Sequence, residues 1–341
     1  EWSGNKLNFI DTPGYFDFIG DMYGAIDVCD LGLIVVSGKS GAKVGGEIAF
    51  QNAEKREMPA MFYINKMDHE NADFDKVLEE LQTSFGPKVV SLQIPIVSGG
   101  EFTGYIDIIE SKAFLFEGDK IRQTDVPEDY YAVLQDAKGT LCETIAEADE
   151  ELLEKFFSDQ PFTREDLKKG TSEAILSRNL FPVLCGSALT NRGISGLMDA
   201  LVNYAPSPAD MPPKEGALNG DLIELKAEDN GPLAALVFKT IIDPFVGKLS
   251  LLRVYSGKLS HNSTVYNSTR ETPEKIGSVM TLRGKDKIEL DAACAGDICA
   301  VSKLSVTTTG DTFTMQNQPI LLEPIEFPSP VYTMALEPKA R

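Results

Sequence analysis

The 341-residue chain is 43% apolar and carries a formal charge of −20, with a pI near 4.5. That length and apolar content support two or three domains with their own cores, and they exclude disorder. The acidic balance excludes a protein that works mainly by wrapping DNA or another polyphosphate, because such surfaces need clustered Lys and Arg.

Five cysteines with no Cys-x-x-Cys, and only two histidines, point to free thiols instead of a zinc site or a disulfide framework. No apolar run approaches the roughly 18 residues of a membrane helix and no signal peptide opens the chain, so the expected setting is a reducing cytoplasm without a membrane partner. Glu1 leads directly into an apolar run, and the chain reads as an excised piece of something longer.

Taken in order, residues 6 to 96 alternate apolar runs with amphipathic stretches. The strands are "KLNFI", "LGLIVVS", "AMFYI" and "VVSLQIPIV", and the helices begin at Asp17, Gly45 and Asp73. Continuous Val/Ile/Leu strands separated by helices predict an open, parallel α/β sheet. Residues 97 to 178 then give short strands ("GYIDII", "KAFLFEG", "DKIRQT") and acidic helices from about Pro127, Asp149 and Thr163. Between 101 and 170 there are 18 acidic residues against 8 basic ones, so half of the net charge sits in a fifth of the chain. The α/β pattern resumes over 179–205 with "LFPVLCGSA" and a helix from Gly193 to Tyr204.

A Pro-rich linker is predicted over 206–220. After it, "GPLAALVFKTIID", "GKLSLLRVYSGKLS", "STVYNST", "EKIGSVMTLRG" and "GDICAVSKL" are strands at hairpin spacing, which predicts an antiparallel β-barrel over 221–325. Residues 326–341 begin a further strand.

Three motifs carry the chemistry. Asp11-Thr-Pro-Gly14 follows an apolar run. There Asp11 could hold Mg²⁺ through water, and the Gly14 N–H could approach a γ-phosphate. A plain strand-ending turn is the alternative reading. Asn65-Lys66-Met67-Asp68 follows another. The Asp68 carboxylate offers two acceptors to the N1–H and exocyclic amine of guanine, whereas adenine mismatches the pair, so the pattern selects GTP or GDP over adenine nucleotides; plain surface polarity is the alternative reading of so short a motif. Asn65 could brace a neighbouring loop and meet the guanine edge, and the stem of Lys66 could lie on the base. Gly186-Ser187-Ala188 ends a third run, where the Ala188 N–H could reach the guanine oxygen. Three such motifs at the carboxyl ends of strands lie where nucleotides bind in open α/β folds. Gly38-Lys39-Ser40 is only a turn, because a phosphate loop needs glycine where Leu33 stands.

Over nearly its whole length the chain resembles the bacterial elongation factor G family. The resemblance rests on "IDTPG", "FYINKMDHENADF", "FTGYIDIIESKAFLFEG", "PVLCGSAL", "YAPSPADMPP", "GPLAALVFKTIIDPFVGKL", "AGDICAV" and "FPSPVYTMALEPK", in that order. It implies an incomplete P-loop GTPase-type sheet (residues 1–96 and 179–205) with an acidic α+β insert at 97–178, then a β-barrel domain and the start of a third domain. The resemblance begins past the family's phosphate loop, so this piece alone is expected to bind GTP or GDP weakly and to be a poor enzyme. It further implies a ribosome-dependent GTP hydrolase of translation, acting in translocation, with a recycling or protection paralogue that hydrolyses little GTP as the alternative.

Implied ribosomal partners are the large-subunit stalk proteins, through the acidic insert, and small-subunit RNA, through the barrel. The barrel's basic residues are Lys239, Lys248, Arg253, Lys258, Arg270, Lys275, Arg283, Lys285 and Lys287. Tyr15 departs from the family, which places a water-positioning histidine there. A phenol can hold water by a hydrogen bond but has no cationic form at neutral pH, so the role of Tyr15 as the catalytic position is an open expectation.

Overall fold

A computed structural model describes residues 1–118, 120–243, 247–327, 329 and 332–335. Its contacts form two compact units, Glu1–Phe9 with Cys29–Pro212, and Ile10–Val28 with Pro213–Arg341. Ile10–Val28, which the sequence reading places in the first domain, joins the second unit and carries helix α1 (Ile19–Ile26).

The first unit is built from β1 (Gly32–Ser37), α2 (Val44–Lys55), β2 (Ala60–Asn65), α3 (Phe74–Phe85) and β3 (Val89–Ser91), and it resumes further along the chain. The intervening insert is an antiparallel sheet of β4 (Gln93–Ser98), β5 (Glu101–Asp107), β6 (Lys112–Glu117) and β7 (Lys120–Thr124), followed by α4 (Tyr131–Ala146), α5 (Glu150–Phe157) and α6 (Arg164–Leu176). β8 (Phe181–Cys185) and α7 (Ile194–Tyr204) complete the unit. Among the described residues the parallel sheet has the order β1-β2-β8-β3.

β2 is buried from Ala60 to Ile64, as a strand covered on both faces must be. Phe50 of α2, Phe62 of β2, Phe85 of α3 and Phe181 of β8 pack with ring centroids 4.5 to 5.6 Å apart. Each fully buried ring contributes roughly 1.5–3 kcal/mol, so this cluster fixes the two helices against the strands that end at the site. The insert shares a core with the sheet, since Ile106, Leu141 and Ile145 pack in one cluster with Met61 and Leu184.

In the second unit, β9 (Lys214–Leu218) and β10 (Asp221–Leu225) form a three-stranded sheet with Ile320–Leu322. β11 (Ala234–Asp243) and β12 (Gly247–Ser256) lie in the middle of an eight-stranded antiparallel sheet. Its order is Thr272–Lys275, Thr264–Asn267, Thr312–Thr314, β11, β12, Ile298–Ser302, Val279–Arg283 and Asp286–Leu290. Leu252, Val254, Val279 and Phe313 lie in its buried core. The same unit holds the 10–28 segment: Arg253 Nη1 donates to the Val28 carbonyl at 2.7 Å and Tyr255 Oη to that of Asp27 at 2.9 Å.

Several sequence expectations change. "KLNFI" forms no strand, because an apolar run becomes one only when a neighbour supplies ladder hydrogen bonds, and β1 ends the sheet. "VVSLQIPIV" is two strands, β3 and β4, in different sheets. The helix expected from Asp17 opens as a 3₁₀ turn over Phe16–Phe18, and the one near Pro127 starts at Tyr131 after the turn Glu128–Tyr130. The linker ends early, since β9 starts at Lys214. Residues 326, 327, 329 and 332–335 form no strand, and the rest of the strand expected over 326–341 lies outside the described residues.

Candidate guanine-binding site

The first unit gathers six of the predicted residues at the carboxyl ends of the adjacent strands β2 and β8. Parallel pairing sets Ile64 beside Cys185, so the 65–68 and 186–188 loops leave the sheet next to each other. The backbone then laces them together: Gly186 N–H donates to the Ile64 carbonyl at 3.0 Å, and Met67 N–H to the Gly186 carbonyl at 3.1 Å. Lys66 takes a positive φ of 65°, which turns the chain sharply and leaves its side chain exposed.

Asn65 is the hub. Its Oδ1 accepts from the Lys66 N–H at 2.8 Å and from the Ala188 N–H at 2.9 Å. Both partners are donors, so the amide oxygen must face them, and the Nδ2 donor group takes the other side of the amide. The Ala188 N–H, read from the sequence as free for a guanine oxygen, is therefore spent on Asn65. The donor available beside it is Asn65 Nδ2.

Asp68 is exposed at the loop's end, and its two carboxylate oxygens match two donors on a base edge. Ser187 is fully buried. Its N–H donates to the Arg192 carbonyl at 2.8 Å and its Oγ accepts from the Thr190 N–H at 3.2 Å, which closes the turn that presents Ala188.

Three further residues support the site, of which the sequence marks Asp73 as a helix start and Gly38 as part of a turn, neither of them as a support. Gly38 N–H donates to the Asn65 carbonyl at 2.7 Å, and a Cβ at Gly38 would stand 3.0 Å from Met67 Sδ. Gln93, buried, accepts from the Cys185 N–H at 3.1 Å. Asp73 caps α3 by accepting from the Lys76 N–H, while its own N–H donates to the Gly38 carbonyl. Asp73, as an N-cap before an amphipathic run, had a local signal.

Asp11, Gly14 and Tyr15 lie in the second unit. Asp11 lines a cleft of about 370 Å³ with Asp17, Asp21, Phe238, Lys239 and Thr240, while Gly14 is exposed and Tyr15 is 77% exposed. Among the described residues no three His, Cys, Asp or Glu side chains gather to hold a metal ion. One exposed carboxylate leaves nearly the whole shell of a Mg²⁺ to water and other ligands, so these residues do not by themselves fit the ion and no metal-dependent step follows from them.

Of the basic residues assigned to the β domain's surface, Arg253 is only 4% exposed and belongs to the interior. Lys239, Lys258, Arg270, Arg283 and Lys287 pair with Asp21, Asp229, Asp311, Asp286 and Asp243 respectively. Lys248 donates to the Thr307 carbonyl. Such pairing neutralises most of the expected patch. The Arg283 side chain remains 77% exposed at the tip of a hairpin that also carries Lys285.

Residues 1–207 match the family model described as the elongation factor Tu GTP binding domain, and residues 232–316 match elongation factor G domain 2. The chain is 38% identical over 345 aligned residues to the elongation factor G proteins of Ureaplasma parvum serovar 3 and Ureaplasma urealyticum serovar 10, all of this chain and 50% of each relative being covered. It thus spans about half the length of the curated relatives it matches. A crystal structure of a Thermus thermophilus protein superposes with a TM-score of 0.78 at 31% identity, covering 89% of this chain and 43% of that one.

Proposed function

The chain belongs to the elongation factor Tu GTP-binding domain family, in its elongation factor G branch, and from that premise we propose that it is the base-reading part of a ribosome-dependent translational GTPase. The observation that carries the reading is the Asn65–Ala188 hydrogen bond, which joins two loops from neighbouring strand ends into one frame. In that frame Asp68 accepts from N1–H and the exocyclic amine of guanine, Asn65 Nδ2 donates to the acceptor edge, and the aliphatic stem of Lys66 covers the ring. Adenine offers no N1–H and carries an amine where guanine carries an oxygen, so it meets neither group correctly.

Asp11 and Gly14, which begin and end the Asp-Thr-Pro-Gly motif, are assigned to the phosphate side, and Tyr15, which follows it, to orientation of the attacking water, on the family resemblance. The surfaces proposed for docking on the ribosome are the acidic insert, toward large-subunit stalk proteins, and the hairpin of Arg283 and Lys285, toward small-subunit RNA phosphates.

Ligand-observed NMR competition at millimolar ligand tests the base reading directly, because it registers weak binding. Guanosine, GMP and GDP should displace one another while adenosine and ADP fail to compete. Equal competition by the adenine series would refute the assignment of Asp68.

A further inference from the structure

Tyr63 lies directly beneath this site, on β2, and is 3% exposed. Among the described residues its hydroxyl has no hydrogen-bond partner. Burial pushes the phenol's pKa up, with a smaller push from Cys185, so the group stays protonated and neutral. An unpaired buried hydroxyl carries a desolvation cost that most proteins avoid, and each instance calls for a reason.

The reason lies at Gly186. A Cβ built there would stand 2.1 Å from Tyr63 Oη and 2.6 Å from the Arg192 carbonyl oxygen, so no side chain fits. Gly186 is the residue whose N–H and carbonyl bond to both ends of the 64–67 segment, and two residues on is Ala188, whose N–H reaches Asn65. The phenol thus supports the backbone from below at the point where the 186–188 loop departs, and the hydrogen bonds hold it from the side.

We propose that Tyr63 is a positioning residue for base recognition: its hydroxyl acts as a stop against Gly186 that holds the 186–188 loop at the height where Ala188 N–H meets Asn65. The proposal rests on the guanine-site reading for its functional meaning, but its geometry stands apart from that reading. Removing the hydroxyl lets Gly186 settle toward the gap, which lengthens the Ala188–Asn65 bond and frees the Asn65 amide to turn. The core strands no hydrogen-bonding group, because the oxygen has no partner among the described residues.

Tyr63→Phe, which removes one atom, tests it by amide hydrogen exchange and thermal unfolding on the same samples. The expected result is exchange at the Ala188 N–H faster by about tenfold, at a thermal midpoint equal to or above that of the parent chain, with weaker discrimination of guanosine from adenosine. Unchanged exchange at Ala188 would overturn the proposal. So would uniformly faster exchange with a lowered midpoint, which would make the hydroxyl an ordinary part of the core. The exchange measurement uses no nucleotide. Should the parent chain fail to distinguish guanosine from adenosine, the guanine reading falls while the stop at Gly186 is still decided by Ala188.

Discussion

Asn65 Oδ1 accepts a hydrogen bond from the Ala188 N–H at 2.9 Å, across 123 residues of sequence. Asn65→Ala would remove the acceptor of that donor and of the Lys66 N–H; both bonds are exposed, so water can take its place and the cost is about 0.5–1.5 kcal/mol. Asn65→Asp keeps the acceptor oxygens and should lose less stability, yet it discards the Nδ2 donor to the base. Denaturant unfolding of both variants, read beside guanosine binding, should show Ala failing in both and Asp failing mainly in binding.

Asp107 makes stability depend on pH in a predictable direction. Desolvation pushes it up to about 6, against the hydrogen bond it accepts from the Glu110 N–H at 2.8 Å. The unfolded carboxyl titrates near 4. Between roughly pH 4 and 6 the folded chain therefore binds more protons than the unfolded one, and this group's contribution to stability falls as pH rises through that window. Asp107→Asn keeps an acceptor for Glu110 and should remove that slope, raising stability at pH 7 by on the order of 1–2 kcal/mol. Thermal midpoints of the two proteins should diverge between about pH 4 and 6 and level off to a constant gap by about pH 7.5. Parallel curves would contradict the assignment.

Asp166 has the opposite sign. The Lys155 ammonium at 2.9 Å, followed by the Thr163 N–H at 2.9 Å, holds it down at about 2. Its stabilisation is present above about pH 4 and is lost as pH falls toward 2. It also completes the capping box of α6 with Thr163. Asp166→Ala should destabilise by about 1 kcal/mol at pH 7, and that deficit should shrink below pH 3. An equal deficit at pH 2.5 and 7 would mean that the side chain acts by packing alone.

The ease of reading these features from sequence follows their locality. β2, β8 and the start of α3 were legible because a both-faces-buried strand is a continuous apolar run and Asp73 is a local cap. The Asn65–Ala188 frame was legible as two motifs, but the spending of Ala188's N–H on Asn65 was not, since it depends on the β2–β8 register. Gly38, Gln93 and Tyr63 act through partners tens of residues or more away, and nothing beside them in the chain announces it. "KLNFI" misled for the same reason, because apolar patterning records a preference for burial without naming a ladder partner. β9 was hidden by the prolines before it and by its short, half-exposed pattern.

Charge reversal at Arg283 and Lys285 addresses the proposed ribosomal interface. Both lie at the 279–290 hairpin, away from its buried core, so the double Glu variant should keep the fold. Ribosome binding should weaken, and its log–log salt slope should flatten by about one unit for each phosphate that is no longer neutralised. Binding with the same slope as the parent would remove this hairpin from the interface.

The base-reading role proposed for Asp68 is tested through a crossover by Asp68→Asn. The amide replaces one of two acceptors with a donor, so it suits xanthine, whose C2 carries an oxygen where guanine carries an amine. Titration of parent and variant with GDP and XDP should show GDP preferred by the parent and XDP by the variant, a reversal on the order of tenfold or more for one exchanged hydrogen-bonding group. Loss of both ligands without reversal, or retention of GDP preference by the variant, would contradict a base-reading role for Asp68.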